Sequence, residues 1–173
     1  MVDWKAQLAK REAEQWDLIA GLTKGADVRP TARSLYALSD ALAYCAALPE
    51  NSIHAIVTDP PYGIAYATNF AVGGVGATWQ NRPIANDDDT AARDDVLAWA
   101  RSRELPWACF GSWKAPKPAG IRGVLIWDKG PAFGMGDLSF PWKGSWEEIY
   151  VGGQGWRGHR DEGVLRGHLV HSH

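Results

Sequence analysis

Cysteine and methionine are scarce in this chain, two of each. Cys45 and Cys109 stand in apolar surroundings without metal-ligand spacing, so they read as small buried hydrophobes in a reducing compartment. Long apolar runs are lacking too. No stretch reaches the length that spans a bilayer, and the amino terminus has no basic-then-apolar leader pattern. The expectation is a cytoplasmic protein with no membrane partner. An excess of positive charge is also missing, because the formal net charge is −2. That excludes the plain electrostatic footprint of a nucleic-acid binder. The halves nevertheless differ, with 8 Lys and Arg against 13 Asp and Glu in residues 1–100 and 10 against 7 in residues 101–173. Any phosphate contacts are therefore expected from the second half. His159, His168, His171 and His173 lack a Cys partner and a helical spacing, and read as a tail rather than a zinc site.

What is present is a core-forming composition: 173 residues with 46% hydrophobic content, enough for one folded domain. Ten Trp are more economically core than a stacking platform; Trp142, Trp146 and Trp156, in the basic half, are the ones to weigh for base or sugar contacts. The most informative stretch is residues 53–63, Ile-His-Ala-Ile-Val-Thr-Asp-Pro-Pro-Tyr-Gly. Its β-branched run reads as a buried strand. Proline has no N–H and cannot continue a central strand, so the chain leaves the sheet at Asp59. Asp59 thus falls at the carboxyl end of a strand, where open α/β sheets hold their ligands. A carboxylate beside the Pro60 carbonyl gives two acceptors on a stiff support, and Tyr62 adds a flat face. That set suits a planar group with an exocyclic NH₂. An ordinary Pro-Pro turn closing a strand would show the same four letters.

Asp59-Pro60-Pro61-Tyr62 after an apolar strand resembles the catalytic motif of DNA amino-methyltransferases, in which it grips a base flipped out of the duplex. Asp in the first position is similar to the adenine-N6 branch, whereas many cytosine-N4 enzymes carry Ser. The flanks extend the resemblance. A strand over 34–38 leads into a helix that runs to about residue 48, with Ser39 or Asp40 as its cap. In permuted members of the family an acid at this point binds the adenine of S-adenosyl-L-methionine. Asp40 matches it, although Ser39 stands where Gly is common, and a plain helix cap explains Asp40 equally well. Downstream, an Asn86-Asp87 pair leads into a helix over 91–102, and strands follow over 106–111, 122–129 and 146–151. The last two resemble the terminal antiparallel pair of a methyltransferase sheet. The three acids Asp87, Asp88 and Asp89 read as a solvated helix start, which the macrodipole favours. Residues 3–22 show helical spacing of Trp4, Leu8, Trp16 and Ile19 and read as an arm, with 27–31 as a linker. Residues 64–83, with Gly73-Gly74-Val75-Gly76, read as an active-site loop in which Tyr66, Asn69 and Trp79 can touch substrate.

The resemblance implies a partial doubly wound, Rossmann-like methyltransferase domain over 31–173. It is a three-layer α/β sandwich whose sheet is mostly parallel. It implies catalytic roles for Asp59, Pro60, Pro61 and Tyr62, a cofactor contact at Asp40, and double-stranded DNA as partner. The cofactor-binding half of such an enzyme, with its glycine-rich turn after a strand, has no counterpart here. None of the clusters at 73–76, 134–136 or 152–155 has the right flanks. The expected function is therefore adenine-N6 methylation of DNA by a truncated or split enzyme that needs a complementing methyltransferase fragment. The alternatives are a cytosine-N4 enzyme or a non-catalytic DNA-interaction module.

Overall fold

The computed structural model describes residues 28–31, 34–66, 83–130 and 139–166. The expected helix over 3–22, Asn69, Trp79, the glycine clusters at 73–76 and 134–136, and His168, His171 and His173 lie outside the described residues. The chain divides between His54 and Ala55 into two units.

In the first unit, β1 (Val28–Thr31) pairs antiparallel with β2 (Ser34–Ala37). The stretch expected to be a linker is thus a strand. Its Pro30 is accommodated because each strand of a two-stranded ribbon has a free edge, where a missing N–H breaks no ladder. Helix α1 (Ala41–Ala47) follows, with Asp40 as its N-cap.

The second unit is a mixed α/β structure. It holds a five-stranded open sheet made of β3 (Ile56–Thr58), β4 (Trp107–Gly111), β5 (Ile121–Asp128), β6 (Trp146–Gly152) and β7 (Val164–Arg166). The strand order is β3-β4-β6-β5-β7. The β3–β4 and β5–β7 pairs are parallel, and β6 runs antiparallel to both β4 and β5. Four strands therefore point one way and β6 alone points back. The β5–β6 pair is antiparallel as expected, but it is not terminal, because β7 lies outside β5. Three residues of strand, Val164 to Arg166, were too short a signal to stand out in the sequence.

Helix α2 (Ala91–Ser102) connects β3 to β4 as the crossover that a parallel pair requires. Arg93, Leu97 and Ala100, spaced four and three residues apart, form its buried stripe. That stripe meets Trp107, Cys109 and Tyr150, which share one sheet face because Cys109 is the register partner of Tyr150 and strand side chains alternate. The packing is close enough to dictate glycine opposite the rings. A Cβ on Gly152 would stand 2.1 Å from the Trp107 ring, and one on Gly111 2.3 Å from the Tyr150 ring.

Strand β3 corrects one expectation. It is the outermost strand of the described sheet, and Val57 is 72% exposed, so the apolar run is not a buried central strand. A run of Ile and Val reports fitness for a pleated surface, not whether the second face and edge are covered. Among the described residues, no helix is long and apolar enough to cross a membrane.

Candidate functional site

Thr58 is the last residue of β3, and Asp59 follows it directly at the carboxyl end of the strand. The ends of β4 and β5 lie on the same side, and β6 begins there because it runs the opposite way. Segments from all four strands surround a cavity of about 580 Å³. Asp59, Pro60, Pro61 and Tyr62 line one wall. Gly111, Ser112, Trp113 and Lys114 come from the end of β4, Lys129 follows β5, and Trp146, Glu147 and Glu148 open β6. Tyr66, Ile84 and Asp87 also reach it. The volume lies in the range of small-molecule sites, about 300–1,000 Å³.

Within the wall, the Tyr62 hydroxyl donates to Asp59 Oδ1 at 2.9 Å. The phenol is pushed well above its ordinary value, first by burial, then by this hydrogen bond and by the nearby Glu147 carboxylate. Tyr62 therefore stays neutral and a donor, and one Asp59 oxygen is oriented by it. The two prolines offer no N–H, so the turn after β3 cannot hold itself by a ladder. Its anchor is Asp87, 2% exposed, whose Oδ1 accepts from Gly63 N at 2.8 Å and whose Oδ2 accepts from Tyr66 N at 2.6 Å. Burial pushes the Asp87 carboxyl up, but the N–H groups of Tyr66, Gly63, Ile64 and Tyr62 outweigh it and hold the group below the usual aspartate range. Gly63 has φ +71°, and a Cβ there would stand 2.6 Å from the Asp89 backbone, so the turn and the segment before α2 meet backbone to backbone.

The opposite wall is charged. Lys129 pairs with Glu147, and the Lys129 ammonium also stands 5.0 Å from the Trp127 ring centroid. Glu148 accepts from the Tyr150 hydroxyl at 2.5 Å and faces Lys117 at 3.5 Å. Burial, then the bond to Glu148, raises the Tyr150 phenol. Behind this wall, burial pushes the Cys109 thiol up to about 11.

The sequence-derived candidates separate clearly. The four motif residues come together in one cavity with Tyr66 and Trp146. Trp156 does not join them: its Nε1 donates to the Gly152 carbonyl at the far end of β6. Trp142 is 73% exposed and packs on Phe140 at a centroid distance of 5.3 Å. Asp40 lies in the first unit, where its Oδ1 accepts from Ala43 N at 2.8 Å, the helix-cap role. Several of the expected phosphate-binding cations are engaged within the protein: Arg101 with the Ala119 carbonyl, Arg122 with the Gly153 carbonyl, and Lys117 and Lys129 with carboxylates.

Asp87 and Trp113 were missed by the sequence reading. Asp87 is a buried anchor rather than a solvated helix start. The available signal was its place after Asn86 and before two further acids, which helix-dipole reasoning absorbed. Trp113, 66% exposed at the cavity, was readable only as the second residue after a strand end. Among the described residues no three His, Cys, Asp or Glu stand together as a metal site. Comparison with known proteins finds no matching family model and no matching curated protein.

Proposed function

We propose that residues 55–173 are the target-base half of a DNA amino-methyltransferase that acts on the exocyclic N6 of adenine, with S-adenosyl-L-methionine as methyl donor. The observation that carries the reading is Asp59-Pro60-Pro61-Tyr62 at the carboxyl end of a strand, lining one cavity with the loops after β4 and β5. Charge supports it as well. The cavity is lined by four carboxylates, Asp59, Asp87, Glu147 and Glu148, against Lys114 and Lys129, a net negative lining that suits an amine-bearing base better than a phosphate.

In this reading the Asp59 carboxylate and the Pro60 carbonyl accept the two protons of the amine and direct its lone pair outward. Tyr62 holds the carboxylate and offers its ring for stacking. Transfer of a methyl group needs in-line placement more than a strong base, so rigid acceptors supply much of the effect. The methyl donor is another matter. Asp40 spends one carboxylate oxygen on its own helix, and no glycine-rich turn between a strand and a helix occurs among the described residues. In this reading the methyl donor is assigned to a complementing fragment. Double-stranded DNA is the proposed partner, with the adenine extruded into the cavity.

The test is methyl transfer from labelled cofactor to DNA after the chain is combined with the cofactor-binding half of a related enzyme. Incorporation at adenine N6 that disappears in Asp59→Ala, while DNA binding persists, is the expected result. An Asp59→Ala protein of full activity would sink the assignment, and label at cytosine N4 would replace adenine with cytosine as the target.

A further inference from the structure

A turn that contains two consecutive prolines has few N–H groups of its own to tie down. After Asp59, neither Pro60 nor Pro61 can donate, and the next usable donors lie at Tyr62 and beyond. The sheet does not take them, because β3 ends at Thr58. They go to a single residue 21 to 24 positions downstream. Both carboxylate oxygens of Asp87 are engaged, by Gly63 N and Tyr66 N, and its main-chain carbonyl accepts from Ala65 N at 2.6 Å. Asp87 is itself fixed by its own N–H, which donates to the Ile84 carbonyl at 3.3 Å. Between the two anchored amides the chain passes through Gly63 at φ +71° and Ala65 at φ +47°. An alanine in that left-handed region persists only where its surroundings over-determine it. Asp87 supplies that determination.

We propose that Asp87 is a positioning residue, which sets the stance of Asp59 and Tyr62 by holding the backbone immediately behind them. Its importance to base recognition rests on the reading that Asp59 and Pro60 grip an exocyclic amine; its hold on the loop does not. Asp87 reaches the cavity but acts through the loop. A carboxylate is required rather than an amide, since an Asn presents one acceptor and turns an NH₂ towards an N–H. The core on α2, β4 and β6 is built from other residues, so loss of the anchor relaxes the loop and leaves the sheet folded.

Asp87→Asn, with Asp87→Ala as the harsher variant, tests this in the full 173-residue chain. Three readouts are taken together: amide hydrogen exchange, the NMR chemical shifts of the Tyr62 ring, and an NMR titration with adenosine and with N6,N6-dimethyladenosine. In Asp87→Asn the Gly63 and Tyr66 amides should exchange at least about tenfold faster, while those of Trp107 and Cys109 keep their protection. The Tyr62 ring shifts should move, because its bond to Asp59 and its burial are relaxed. Adenosine affinity should fall about tenfold or more, and preference over the dimethylated analogue, which has no proton to donate, should vanish. Unchanged exchange at Gly63 and Tyr66, or unchanged Tyr62 ring shifts, overturns the proposal, whatever the nucleoside does. If both loop readouts shift as expected but the wild-type chain ignores adenosine, Asp87 still positions Asp59 and Tyr62, and it is the base-gripping reading that fails.

Discussion

Strands β4 and β6 have two very different ends. At one, where Trp107 pairs in register with Gly152, the indole packs against glycine with no room for a methyl group, and Gly153 turns at φ +72° against the Leu105 carbonyl. At the other, where Gly111 pairs with Glu148, the chain opens into a cavity bordered by lysines, carboxylates and an exposed Trp113. The same ladder thus spends one end on close packing and leaves the other polar and accessible. Close packing and the cavity are separated by the length of a five-residue strand.

Breaking the packed end should have the largest effect. Trp107→Ala empties the fully buried centre of the core and should lower stability by about 3–5 kcal/mol, measured by denaturant unfolding. An unchanged unfolding midpoint would mean that the two ends are not divided as described. At the open end, Gly63→Ala meets both a left-handed φ and the Asp89 backbone, so it should cost about 1–3 kcal/mol and displace the loop. Base recognition should suffer more than the unfolding midpoint, and the ratio of the two losses sharpens the comparison.

Acid should loosen the loop at the open end. The Asp87 carboxyl lies below the ordinary aspartate value of about 3.9, so its contribution is fully present above that value. It is lost as the pH falls through Asp87's own lower value. Thermal unfolding should therefore decline below about pH 4 in the wild type and decline less in Asp87→Asn. Equal acid sensitivity in both proteins would remove Asp87 from the account. The smallest effect belongs to Tyr62→Phe, which removes one hydrogen bond to a carboxylate and leaves the ring. It should cost about 0.5–1.5 kcal/mol, read as adenosine affinity, with little change in the unfolding midpoint.

The packed end was readable in the sequence, and the open end only in part. Helix α2 has the expected bounds, and β4, β5 and β6 fall within a residue of the expected stretches, because short apolar runs and flanking Gly and Pro are local signals. The two prolines after β3 likewise marked where the chain leaves the sheet. What failed were readings that depend on where in the sheet or loop a distant partner lies. Val57 looks like a core residue until the strand order shows it on an edge. Asp87 looks like a helix-start acid until the loop that donates to it, more than twenty residues earlier, is folded back. Val28 to Thr31 looked like a linker because Pro30 argues against a strand, an argument that holds for an interior strand and not for a two-stranded ribbon.

The Cys109 thiol gives the sheet a built-in clock. It is fully buried, it is pushed up to about 11, and in the β3–β4 ladder it stands opposite Thr58, the residue just before the acid of the cavity wall. A thiol so placed is almost entirely protonated at neutral pH and out of reach of an alkylating reagent. Its rate of modification thus reports any opening that exposes the core it shares with Leu97, Ala100, Trp107 and Tyr150, against which Ile56 of β3 also packs. Any ligand that binds only while the strands are docked should slow the labelling of Cys109, and the degree of slowing measures its occupancy without any need to follow the ligand itself.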